Sequence, residues 1–95
     1  MTAPTGTYAQ SALDRLAAAL PGLDPSLLRL YAVLVLTKGT ATTMEDVHDS
    51  WSLWRQEKLP DHPSIVPFRD LPPEVQELDR PYMEAIHAVA AGVGL

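Results

Sequence analysis

The sequence predicts a small all-α domain: a bundle of four main helices plus one short helix, over residues 8–95, with a Pro-rich irregular segment between helix three and the C-terminal helices. Three observations predict it. Apolar residues recur at helical spacing in four segments. Capping residues and prolines mark the starts of most segments, and glycines mark several stops. The length, 95 residues, suits one domain. Such a chain buries only about 60–65% of its unfolded surface, so the expected stability is modest.

Met1–Thr7 is small and polar and reads as a disordered arm. Helix one is expected over Tyr8–Leu20, where Leu13, Leu16, Ala17 and Leu20 make one apolar stripe. Ser11 with Asp14 offers an alternative capped start, and Pro21-Gly22 stops the helix. Asp24-Pro25 then supplies a carboxylate N-cap and a first-turn proline. Helix two, about Pro25–Lys38, is apolar on almost every face, from Leu27 to Leu36. It is therefore either the central helix or a helix at a subunit interface. Val33–Leu36 has strand propensity, but the cap, the length and the Lys38-Gly39 stop favour helix.

Thr43 with Asp46 resembles a capping box for helix three, about Met44–Lys58. Met44, Val47, Trp51 and Trp54 form its inner stripe, with His48 and Arg55 on the shoulder. Leu59–Asp70 contains Pro60, Pro63 and Pro67 and cannot be helix. Ile65, Val66 and Phe68 should anchor it to the core. Pro72-Pro73 opens a short helix to about Leu78. Asp79 reads as the N-cap of the last helix, with core face Tyr82, Ile86, Val89 and Val93 and stops at Gly92 and Gly94.

Composition excludes several functions. The net charge is -5 and the sequence pI about 4.9. Seven Lys and Arg do not make the cationic face that duplex nucleic acid or an anionic membrane surface requires. The longest apolar run, Leu30–Leu36, is far below the roughly 20 residues that span a bilayer. No signal peptide is legible, and the expected location is cytoplasmic. Cysteine is absent, which removes disulfides, thiolate metal sites and a Cys nucleophile.

The pattern Val47-His48-x-x-Trp51-x-x-x-Arg55, then His62-Pro63-x-Ile65-Val66-Pro67-Phe68, then Leu71-Pro72-x-x-x-Gln76-x-x-Asp79-Arg80, resembles the RyR domain. This is the small helical module repeated in ryanodine receptors and found in bacterial and phage proteins. The resemblance covers about residues 43–92. The chain also resembles short actinobacterial and actinophage proteins, through Leu30–Leu34, Lys38-Gly39 and Glu45–Asp49. The first resemblance implies a recognition module for small nucleotide-like signals in defence or phage–host conflict. Gln56–Asp61 is shorter than the matching loop of RyR domains, which removes part of any enclosure that loop would give.

The candidate ligand-binding residues are His48, Trp51, Arg55, His62, Phe68 and Arg80. The histidines and arginines would offer charge and forked donors to a phosphate or carboxylate. Trp51, Trp54 or Phe68 would stack a ring. The competing roles are structural: the tryptophans as core, His48 bonded to a loop carbonyl, and Arg80 paired with Asp79, Glu77 or Asp70. Metal is not expected, because His48 and His62 show no ligand spacing and His87 lies on another helix. Catalytic residues and cofactors are not expected either. Ser50, Ser52 and Ser64 lack an elbow motif, and the glycines stand singly. The alternative function is a protein–protein adaptor or homodimer, using the apolar faces of helices one and two and the outward Leu53.

Overall fold

The computed structural model describes residues 6–92. Most of the expected N-terminal arm, and the expected roles of Val93 and Gly94, lie outside the described residues. Within them the chain is all-α: α1 (Tyr8–Ala19), α2 (Pro25–Thr37), α3 (Met44–Arg55), the short α4 (Pro73–Gln76) and α5 (Arg80–Gly92). Single 3₁₀ turns occur at Gly39–Ala41, Phe68–Asp70 and Glu77–Asp79. No strand is present among the described residues, and no helix is long and apolar enough to cross a membrane.

Thr7, assigned to the arm from sequence, is the N-cap of α1. Its hydroxyl accepts the Gln10 backbone N–H at 3.0 Å, so the helix starts at Tyr8 and not at Ser11. Leu20 already lies past the last turn, and Gly22 takes the left-handed backbone (φ 83°) that turns the chain toward α2. The Asp24 carboxylate then accepts the Ser26 and Leu27 N–H groups at 2.8 and 3.4 Å. Of the two readings of α2, the structure selects the central helix. It packs against α1, α3 and α5, burying Leu27, Leu28, Tyr31, Ala32 and Val35. Those residues join Leu16 of α1, Val47 of α3, and Ile86 and Val89 of α5 in one core.

Gly39, again left-handed (φ 55°), breaks α2 and opens the turn into α3. The capping box forms as expected. Thr43 Oγ1 accepts from Asp46 N–H at 3.1 Å, and Asp46 Oδ2 accepts from Thr43 N–H at 2.9 Å. Lys38 Nζ adds a bond to Asp46 Oδ1 at 2.9 Å, tying the end of α2 to the start of α3. Helix α3 stops three residues earlier than its sequence suggests. The Lys58 and Leu59 N–H groups both turn back onto the Arg55 carbonyl at 3.2 and 3.0 Å. Pro60 keeps Leu59 out of the helical region and forces this tightening.

Asp79 is not an N-cap. Arg80 is already helical (φ -59°, ψ -47°), and α4, the Glu77–Asp79 turn and α5 follow one another without a break. Pro81 has no N–H to bond back to Glu77, so the ladder tightens there into a 3₁₀ turn and does not restart from a cap.

Among the described residues one buried side-chain oxygen is left unsatisfied. Thr42 is buried, and its Oγ1 has no hydrogen-bond partner, although its carbonyl lies 2.6 Å from His87 Nε2. An isosteric side chain without the hydroxyl avoids that desolvation. Thr42→Val should therefore raise stability by about 1 kcal/mol, read as a higher thermal midpoint. A lower midpoint would mean that the hydroxyl is satisfied.

Candidate functional site

Helix α3 turns His48 and Trp51 toward the Pro-rich segment, and His48 is the centre of what forms there. The ring is 3% exposed. Its Nε2 lies 2.7 Å from the Val66 carbonyl oxygen. A carbonyl only accepts, so Nε2 carries the proton and donates. The ring packs against Trp51 (centroids 5.8 Å apart, 25° between planes) and Phe68 (6.0 Å, 55°). His62 meets Trp51 edge-on at 5.1 Å, and its Nδ1 accepts the Ser64 N–H at 3.1 Å. Gln76 donates to the Phe68 and Leu71 carbonyls at 3.0 and 3.2 Å, fastening the end of the segment to α4. The structure thus brings four of the six sequence candidates, His48, Trp51, His62 and Phe68, into one aromatic cluster.

The other two do not join it. Arg55 lies seven residues beyond His48, about 10 Å along the helix axis. Its guanidinium folds over Trp54, 5.6 Å from the ring centroid, beside Asp24 and Ser26. Arg80 makes a bidentate pair with Glu77 at 2.7 and 3.1 Å on the surface. The i,i+3 spacing puts that carboxylate within reach before any ligand. The expected cationic constellation is therefore not assembled.

A cleft of about 440 Å³ opens beside the aromatic cluster. Helix α2 contributes Leu27 and Tyr31, and α3 contributes His48 and Trp51. The Pro-rich segment adds His62 and Ser64, and the C-terminal helical path adds Leu71, Val75, Leu78, Asp79 and Tyr82. The Asp79 carboxylate is its only lining acid among the described residues. It stands 3.9 Å from His48 Nδ1, too far for a hydrogen bond, and receives none from the described residues. Burial pushes its pKa up to about 6, opposed by the charge of His48. Burial likewise raises the Tyr31 hydroxyl, with Asp79 and then Tyr82 adding to the effect. Tyr31 and Tyr82 stand 5.7 Å apart and tilted at 45°. Leu78 is 67% exposed on the cleft's lining.

The sequence Ser52–His48–Asp79 has the order of a nucleophile, base and orienting acid. Ser52 Oγ is 3.3 Å from His48 Nε2. That nitrogen already donates to Val66, so it has no lone pair with which to take the serine proton. Among the described residues no group of three His, Asp or Glu could hold a metal ion.

The family model described as a domain of unknown function, DUF7701, matches residues 7–91. The chain belongs to the DUF7701 family. No curated protein and no solved structure matches it. In this DUF7701 chain, sequence reasoning missed Asp79, Tyr31 and Tyr82 as cleft residues. One signal was present: Tyr31 and Tyr82 put polar tips on apolar stripes.

The raised pKa of Asp79 has a consequence for stability. Its ordinary unfolded value is about 3.9, so the folded state holds the proton more tightly. The associated stability is complete below about pH 4 and is lost as the pH rises through about 6. Asp79→Asn abolishes that loss. The variant should be more stable than the parent at pH 7.5 by roughly 1 kcal/mol, after discounting for solvent screening. The gap should close toward pH 4 in paired thermal melts. Equal midpoints at every pH would remove the buried-charge account.

Proposed function

We propose that this domain is a non-catalytic, cytoplasmic recognition module that takes a small flat ligand, nucleotide-like in its ring, into the cleft between α2, α3 and α5. The observation that carries the reading is the cleft itself. Aromatic and apolar side chains surround one half-buried carboxylate that receives no hydrogen bond among the described residues, with His48 Nδ1 3.9 Å away. Small-molecule sites combine such apolar walls with a few convergent polar groups. The resemblance to RyR domains supports it too, because four residues of that pattern form the aromatic cluster that holds the cleft's wall. A role in sensing nucleotide-like signals in defence or phage–host conflict follows from that resemblance. The ring, and not a phosphate, is the part recognised, since Arg55 and Arg80 are engaged elsewhere.

A thermal-shift screen with nucleosides, nucleotides and cyclic dinucleotides tests the proposal. A ligand at about 100 times its dissociation constant should stabilise the fold by roughly 2.7 kcal/mol, several degrees for a domain of this size. Tyr82→Ala should reduce the shift, whereas Arg80→Ala should leave it unchanged. No shift from any of these ligands, with the protein folded, would sink the small-molecule reading.

One observation favours a second reading, a protein adaptor. Leu53 is 57% exposed and, with Val66 and Ile65, lines a groove of about 350 Å³ on the outer side of α3. The apolar faces of α1 and α2 are largely spent on the core, leaving Val33 as the exposed large apolar residue of α2. An adaptor or homodimer would therefore work through the Leu53 groove. A dimer in light scattering that Leu53→Asp dissolves would support it; a monomer at all concentrations would exclude the homodimer form.

A further inference from the structure

We infer that the cleft selects ligands presenting two adjacent N–H donors, on a flat conjugated group of guanine or amidine type, to the Asp79 carboxylate. The inference deepens the small-ligand reading above and rests on it.

An ionised carboxylate only accepts hydrogen bonds, and its two oxygens are spaced for a pair of parallel donors. The Asp79 oxygens have no hydrogen bond among the described residues. None of the titratable groups around them is hydrogen-bonded to them among the described residues. From α3, His48 Nδ1 stays at 3.9 Å and is the ring nitrogen left without the proton when the ring is neutral. From the Pro-rich segment, His62 spends Nδ1 on the Ser64 N–H. From α2 and α5, Tyr31 and Tyr82 line the cleft, and neither hydroxyl donates to Asp79 among the described residues; burial and the Asp79 charge raise the Tyr31 hydroxyl. No lysine or arginine lines the cleft among the described residues, so a phosphate inside it would meet Asp79 without a counter-charge.

The walls select shape. Leu27, Trp51, Val75, Leu78 and Tyr82 present apolar and aromatic surface, against which a planar ring loses little and a hydrated chain loses much. The volume, about 440 Å³, lies in the lower part of the range of small-molecule sites. Among bases the edges then differ. Guanine offers two neighbouring N–H donors, adenine alternates donor and acceptor, and uracil flanks its single donor with acceptors that the carboxylate repels. An amidine or guanidine group offers the same paired edge with a positive charge.

Isothermal titration of the 95-residue chain with guanosine, adenosine and benzamidine at pH 7.5 tests this. Guanosine, benzamidine or both should bind at least about tenfold more tightly than adenosine, and Asp79→Asn should lose about tenfold or more of that affinity. Guanosine alone assigns a guanine base as the ligand's source of the edge; benzamidine alone assigns an amidine or guanidine group. Because Asp79 titrates near 6, affinity should also fall about tenfold on going to pH 5, while that of Asp79→Asn stays flat despite the nearby histidines. Equal binding of guanosine and adenosine, unaffected by Asp79→Asn, would overturn the inference and leave the cleft reading intact. No binding by any of the three, with the protein folded by circular dichroism, would overturn both.

Discussion

The hydrogen bond from His48 to the Val66 carbonyl is the constraint on which the candidate site depends. Leu59–Leu71 has no regular structure of its own apart from one 3₁₀ turn, so its backbone groups must find partners one by one. His48 supplies such a partner from a buried position, and the Trp51 and Phe68 rings pack against the imidazole. Gln76 does the same at the far end of the segment. These ties keep a Pro-rich loop against α3 and α4, and the space left beside them is the cleft. The same bond decides the chemistry of His48. By committing Nε2 as a donor, it turns a residue with the position of a general base into a structural post.

Asp79 is in tension with this economy. A domain of this size has little stability in reserve. Even so, a carboxylate is held half-buried without a hydrogen bond among the described residues, at a pKa near 6. Nothing in the packing of α4 and α5 requires an acid there, since the ladder around it is already closed by the 3₁₀ turn. Groups kept in unfavourable surroundings within a cleft are where binding function concentrates. The surface ion pair of Arg80 with Glu77 is the opposite case. Both partners are solvated and mutually satisfied, and neither points to a ligand.

The helices were legible because their signals are local. Asp24-Pro25, the Thr43–Asp46 box and the Pro72-Pro73 pair each act within one turn, and each forms as the residues indicate. Boundaries failed where a proline acted on its neighbours, as Pro60 did on the end of α3 and Pro81 on the role of Asp79. The aromatic half of the candidate site was also legible, since Trp51 and His48 share a helical face and His62 and Phe68 flank a rigid loop. The cationic half was not. Whether an arginine reaches a cleft depends on which partners the fold sets beside it, and Arg55 lies over Trp54 while Arg80 pairs with Glu77.

By itself, then, the sequence determined the all-α class, the central position open to α2, and the cap of each long helix from α2 onward except the last. These follow from apolar spacing and from bonds between residues three or four apart. The anchors it indicated for the Pro-rich segment, Ile65, Val66 and Phe68, stay outside the buried core, and His48 and Gln76 hold the segment instead. Only the tertiary structure decided that Asp79, Tyr31 and Tyr82 meet His48 around one cleft while Arg55 and Arg80 face away. Those residues lie on three different helices and one 3₁₀ turn, and their meeting is set by how these elements pack, a matter of side-chain volume and crossing geometry that no local spacing encodes.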